Sequence, residues 1–179
     1  MVGADFLSAS QRFMPPETGA VHTPRLIIRP YTQADAPQIA QMILERQYPY
    51  RQPGTDDAWA QEMADETLGH IAASTDKVVA GLFLRQDGQL AGEFTANAKY
   101  GGRPREWSLS YYTRINHRGR GYMKECVLAV LPQFPACLGA RIVSAMVSFN
   151  NLASRHILKD AGFREATMSG HGLSLELTV

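Results

Sequence analysis

Arg118-Gly119-Arg120-Gly121 sets two guanidinium groups and two glycines directly ahead of a helical pattern that begins at Tyr122. A helix N-terminus leaves amide N–H groups without acceptors, and the helix dipole adds partial positive charge there. Such an end binds anions. Glycines let the backbone come close to a phosphate. Arg118 and Arg120 add charge-assisted hydrogen bonds, each worth about 1.5–3 kcal/mol where water is excluded. The chemistry suits a pyrophosphate. The spacing is neither GxGxxG nor the Walker pattern, so dinucleotides and ATP fit poorly. By itself the segment also reads as an ordinary polar turn between a strand and a helix.

A second stretch runs from Asn151-Leu152-Ala153-Ser154 to Ala161-Gly162-Phe163. Asn151 suits an N-cap. Gly162 suits a left-handed C′ position, with Phe163 packing back on Leu158 in a Schellman ending. Capping accounts for Asn151, Gly162 and Phe163. It gives no reason for the hydroxyl of Ser154. Other groups with chemistry are Glu93, Glu106, Tyr111 and Tyr112, whose positions also suit a solvated strand face or an aromatic wall. His117 and His156 read as surface or packing residues. Cys126 and Cys137 lie in apolar runs and read as small buried hydrophobes. No CxxC or Cys/His cluster is present, so no metal site is expected.

These groups need a frame. Leu26–Arg29, Val78–Leu84, Leu90 to about Ala98, Trp107–Thr113, Ala140–Val147 and two short C-terminal runs, about 164–169 and 172–178, read as strands. Asp87-Gly88 is a hairpin turn signal. Thr32 with Asp35 forms a capping-box variant ahead of a first helix. Further helices are expected over Asp56 to about Ala73, Tyr122 to about Gln133, and from Asn151 to Gly162. Residues 1–22 read as an N-terminal arm, with Phe13 and Met14 able to dock, and 23–179 as one domain. Strands interleaved with helices in the order β-αα-βββ-α-β-α-ββ indicate a mixed α/β or α+β sheet.

Composition sets limits. The chain has 179 residues, is 45% hydrophobic, and has a net charge of +1. That length supports a core without staples. The charge balance argues against a dedicated nucleic-acid binder. The local arginines 103, 105, 114, 118 and 120 are the only feature in its favour. The N-terminus lacks a basic, apolar leader and no run approaches a membrane span, so a cytoplasmic location is expected and no membrane partner.

Arg118 to Tyr122, followed by Asn151 to Phe163, resembles the two central motifs of GNAT acetyltransferases. The branch it resembles most is the ribosomal-protein (Rim-type) N-terminal acetyltransferases. Thr23 to Pro30 and Leu90 to Glu93 are similar to that branch's first and third strands. The resemblance covers about residues 23–166. It implies a mixed, mostly antiparallel sheet of six to seven strands, splayed between the fourth and fifth, with about four helices. It implies an N-acyltransferase that moves an acetyl group from acetyl-CoA to a primary amine, on a protein N-terminus or a small molecule. A homodimer is compatible with it.

Residue by residue, the resemblance places the pyrophosphate on the amides of Gly119, Arg120, Gly121, Tyr122 and Met123, with Arg118 and Arg120 beside it. It pairs the pantetheine arm with the backbone of Tyr112 and Thr113 and with Asn151, and sets Ser154 near the thioester sulfur. The loop from Tyr48 to Gly54 and the hairpin at about Ser169 to Ser174 are expected to shape the acceptor pocket. Two positions depart from the pattern. Met123 stands where Gly or Ala is usual. Ser108-Leu109-Ser110-Tyr111 stands where the branch has Glu-Ile-Gly-Tyr, so the usual fourth-strand carboxylate is missing. Glu93, or less readily Glu106, is the candidate replacement base. The missing Glu also admits a catalytically idle, acyl-CoA-binding module as the alternative.

Overall fold

The computed structural model describes residues 7–47, 54–99, 105–170 and 172–179. The expected loop from Tyr48 therefore lies outside the described residues, except for Gly54. One sheet of eight strands organises the fold, in the order β1-β2-β3-β4-β5-β6-β8-β7. The strands are β1 (Val21–His22), β2 (Leu26–Arg29), β3 (Lys77–Leu84), β4 (Leu90–Ala98), β5 (Glu106–Thr113), β6 (Ile142–Val147), β7 (Arg164–Ser169) and β8 (Gly172–Thr178). Every pairing is antiparallel except β5 with β6.

That parallel pair makes the site. It holds only Glu106 to Ile142, Trp107 to Val143 and Ser108 to Ser144. Beyond these three rungs β5 stays on β4 as far as Thr113, while β6 stays on β8 as far as Val147. The sheet splits along this line. The expected splay between the fourth and fifth strands is this gap; the extra strand β1 shifts the count by one.

Six α-helices flank the sheet among the described residues: α1 (Ala9–Phe13), α2 (Ala36–Gln47), α3 (Asp57–Ala73), α4 (Tyr122–Val130), α5 (Phe134–Leu138) and α6 (Leu152–Asp160). The four expected helices all form. The one expected to reach Gln133 stops at Val130, because Pro132 and Pro135 break the run into a 3₁₀ turn and the short α5. Neither α1 nor β1 is in the sequence-based reading, which has six to seven strands, about four helices and an arm. Ser8 and Gln11 close a capping box around α1, and Phe13 buries its ring against Phe94 and Phe134, with centroids 5.6 and 5.3 Å away. Ser10 Oγ accepts the Val79 amide at 2.9 Å. Ser8, Ala9, Ser10, Phe13 and Met14 are thus buried against the domain.

Strand alternation assigns the two faces. Phe94, Ala96, Trp107, Leu109 and Tyr111 join the main core with Phe13, Cys126, Val127 and Leu158. Tyr112 joins Met42, Phe83 and Leu90 in the smaller cluster beneath α2.

Candidate active site

The loop between β5 and α4 carries the anion chemistry. Gly119 (φ 72°) and Gly121 (φ 77°) both take left-handed backbone, which only glycine adopts at no steric cost. Gly121 is the N-cap of α4 and provides no side-chain acceptor. The first helical amide to meet a backbone acceptor is that of Glu125, on the Gly121 carbonyl at 3.1 Å. The amides before it remain available to a ligand.

A groove of about 570 Å³ opens between the free end of β5, this helix end and α6. Tyr112, Thr113, Arg118, Gly119, Gly121 and Tyr122 line one part of it, and Met123, Asn151 and Ser154 another. Arg120 lines a neighbouring polar cavity of about 490 Å³ instead, together with Gln38, Asp87 and Arg114. Arg118 Nε donates to the Thr113 carbonyl at 3.1 Å. One of the two strand residues expected to pair with the pantetheine arm therefore already has its carbonyl engaged. Asn151 caps α6 by accepting the Ser154 amide at 3.1 Å. The Tyr111 hydroxyl donates to the Ser154 carbonyl at 3.4 Å. Burial raises the Tyr111 pKa, so the phenol keeps its proton through the neutral range.

Met123 does not crowd the helix start. Its side chain is buried, and its terminal methyl lies 3.4 Å from where a Cβ on Gly92 would be, an ordinary packing distance. Gly92 is required by the neighbouring strand: a Cβ there would collide with the Tyr112 carbonyl.

Glu93 lies on the other face of the sheet. It pairs across the strands with Tyr112, not Tyr111. Its Oε1 accepts from Arg46 at 3.0 Å and its Oε2 from Tyr31 at 3.1 Å. Arg46 also covers the Tyr112 ring, 4.5 Å from its centroid. Burial, with the Glu93 charge and hydrogen bond, pushes the Tyr31 phenol well above its ordinary range. Ser154 and Glu93 therefore flank β5 from opposite faces and are not in contact. Glu106 is held by Lys99 at 2.6 Å, at the opposite end of β5 from Thr113. Seven residue steps separate the two, about 23 Å of strand. Ser108, where the family pattern has Glu, reaches the Asn97 carbonyl at 3.4 Å.

Sequence reasoning missed Tyr31 and Arg46, which meet Glu93 only through the fold. His117, read as a surface or packing residue, is a packed one. This ring is buried, lines both the groove and the polar cavity, and leaves Nδ1 without a partner. Burial, then the charges of Arg114 and Arg120, lower its pKa. Arg114, one of the local arginines, is bound to Glu45 at 2.5 Å, and Arg103 lies outside the described residues. Among the described residues no group of three or more His, Cys, Asp or Glu converges as a metal site, and no helix is long and apolar enough to cross a membrane.

A family model described as an acetyltransferase (GNAT) domain matches residues 25–164, well over half of the chain. The chain belongs to the GNAT acetyltransferase family. It is an acetyl-CoA-dependent N-acetyltransferase. The open helix end, the two left-handed glycines and the groove between β5 and α6 fit acetyl-CoA. Solved structures agree on the fold. The ribosomal-protein-S5-alanine acetyltransferase from Vibrio fischeri is 11% identical with a TM-score of 0.70, over 89% of this chain and 96% of that one. Mycobacterium smegmatis RimJ, solved in complex with CoA-disulfide, is 17% identical with a TM-score of 0.66, over 86% and 81%. An acetyltransferase from Agrobacterium tumefaciens is 20% identical with a TM-score of 0.65, over 93% and 95%. No curated protein matches the sequence.

Proposed function

We propose that this acetyltransferase acetylates the α-amine of a polypeptide N-terminus, with the donor in the groove between β5, the α4 N-terminus and α6. The observation that carries the donor site is the three-rung parallel pairing, which leaves the far half of β5 open beside the α4 N-terminus. In this reading the amides of Gly119 to Met123, with Arg118, hold the pyrophosphate. Tyr112, Thr113 and Asn151 line the pantetheine arm. Arg120 adds charge from the neighbouring cavity.

Acetyl-CoA supplies the thioester that the amine attacks. The Ser154 hydroxyl, half-buried in the groove, hydrogen-bonds the departing sulfur and relays it a proton that solvent returns to the hydroxyl, and Tyr111 fixes the Ser154 backbone. A backbone N–H near Thr113 stabilises the oxyanion. Glu93 takes the proton of the amine through a water. Each of its oxygens already accepts one hydrogen bond, but a carboxylate has about four lone-pair sites.

The choice of an α-amine rests on chemistry and on likeness. Its unperturbed pKa is about 7.7–8.0, against about 10.4 for Lys, so it needs far less help to become neutral. A base acting through water and already bound to Arg46 suits that acceptor. Two of the similar structures carry names of ribosomal-protein or RimJ acetyltransferases. The test pairs two peptides of one sequence: one has a free N-terminus and an internal Lys, the other is N-terminally blocked. CoA release and mass spectrometry read the product. Acetylation of the free N-terminus alone is expected. Transfer to the Lys of the blocked peptide, or only to small polyamines added in parallel, would replace the proposal.

A further inference from the structure

The turn joining β1 to β2 reaches over to the first turn of α4. Thr23 Oγ1 donates to Glu125 Oε1 at 2.5 Å, and the Arg25 amide donates to the same oxygen at 3.0 Å. Arg25 Nε donates to Glu125 Oε2 at 2.6 Å. The far end of the guanidinium then turns to the glycine loop. Arg25 Nη1 donates to the Arg120 carbonyl at 2.8 Å. Nη2 stands 3.5 Å from where a Cβ on Gly121 would be. The plane lies over the Tyr122 ring, 4.7 Å from its centroid. One side chain thus touches three consecutive residues of the loop–helix junction, yet Arg25 is not among the described residues that line the groove.

Two physical consequences follow. Left-handed glycines give the loop its shape but hold it weakly, because glycine has the most backbone freedom to lose. The Arg120 carbonyl and the Gly121 N–H belong to one planar trans peptide. Anchoring the oxygen on Arg25 therefore aims that N–H the opposite way. Charge is the second consequence. Glu125 puts a carboxylate in the first turn of α4, where it suits the helix dipole but opposes a second anion. The Arg25 guanidinium, paired with it at 2.6 Å, offsets that charge.

We propose that Arg25, held by Glu125, is a positioning residue for the pyrophosphate end of acetyl-CoA, presetting the Gly121 amide and masking the Glu125 charge. The proposal rests on the groove being the donor site. It predicts an effect confined to the part of the donor that carries phosphate.

The experiment measures binding of acetyl-CoA by calorimetry, and of S-acetylpantetheine, which lacks the pyrophosphate, by ligand-observed NMR. Unmodified protein, Arg25→Ala and Glu125→Gln are compared, with thermal melts to verify folding. Loss of a hydrogen bond to a charged group corresponds to a weakening of about tenfold or more. Arg25→Ala is expected to bind acetyl-CoA about tenfold more weakly; Glu125→Gln, which loosens Arg25 but also removes the opposing charge, is expected to lose less, about threefold; both are expected to bind S-acetylpantetheine within about twofold of the unmodified protein. Should Arg25→Ala fail to fold, Arg25→Lys takes its place, keeping the charge but not the fork that spans Glu125 and Arg120. Equal weakening for both ligands would mean a merely structural role and overturn the proposal. So would acetyl-CoA affinity within twofold in the variants. Failure of the unmodified protein to bind acetyl-CoA would instead remove the donor-site reading, and this proposal with it.

Discussion

The Tyr111 hydroxyl donates to the main-chain carbonyl of Ser154 and so ties the open half of β5 to the first turn of α6. The two sides of the groove meet at this bond. Ser154→Ala is expected to lower kcat by about a hundredfold, the low end of the range for a lost proton donor, with the acetyl-CoA Kd little changed. Tyr111→Phe removes the tie but not the donor, and a smaller loss, about threefold, is expected. Steady-state kinetics on the two variants separates these roles. Equal, full activity in Ser154→Ala would remove the proton-donor assignment.

Glu93 offers a different readout. Glu93→Gln keeps an acceptor for Tyr31 but leaves the half-exposed Arg46 without its counter-charge. A stability loss of about 1 kcal/mol is expected in urea titration, since a partly exposed pair contributes little. The acid limb of the pH–rate profile is expected to flatten. A profile identical to that of the unmodified enzyme would show that Glu93 is not the base.

Gly92 is where the backbone of β4 and β5 comes closest. Gly92→Ala would press a methyl onto the Tyr112 carbonyl. Overpacking of this kind costs about 1–3 kcal/mol. For a domain of this size that is about 3–10 °C of Tm, measurable by calorimetry.

Acid should act in two stages. Burial and two arginine charges lower the His117 pKa, so the folded protein declines a proton that the unfolded chain accepts. Stability is expected to fall as pH drops below about 6.5, the unperturbed value. His117→Gln should remove this stage. Burial pushes the carboxyls of Asp35 and Glu125 upward, but their hydrogen bonds and the charges of Arg29 and Arg25 outweigh it, and both end lowered. Their stabilisation is present above about pH 4 and is lost as pH falls further through the folded values. Urea midpoints at pH 8, 6.5, 5.5 and 4 resolve the two.

Phe13 tests whether the N-terminal segment belongs to the domain. Its ring is fully buried between Phe94 and Phe134. Phe13→Ala is expected to cost about 3–5 kcal/mol; a loss below 1 kcal/mol in urea titration would make residues 8–14 a dispensable arm.

What the sequence revealed, and what it hid, follows from the range of each interaction. Local signals were legible. Thr32 and Asp35 close the capping box read from their spacing, and Gly162 and Phe163 donate to Lys159 and Leu158 as a Schellman ending requires. The β7–β8 hairpin keeps its expected bounds. Contacts between residues far apart were not legible. Tyr31 and Arg46 meet Glu93 across 62 and 47 positions, and Arg25 meets Glu125 across 100. No periodicity carries such pairs. The strand Val21–His22 is too short to show an alternation, and α1 spans only five residues. The capping box of α1, Ser8 with Gln11, was visible in principle and shows that a cap can announce a helix whose body is too short to.

Three parallel rungs between Glu106–Ser108 and Ile142–Ser144 are the sole main-chain ladder joining β1–β5 to β6–β8 among the described residues. The sheet is built like an open book, with a spine of three residues and two pages that diverge from it. A donor in the groove would touch the free end of β5 on one page and α6, which follows β6, on the other, and so brace the molecule across its thinnest seam. Ligation would then slow hydrogen exchange at 111–113 and at the start of α6, and the gain in melting temperature would track donor occupancy.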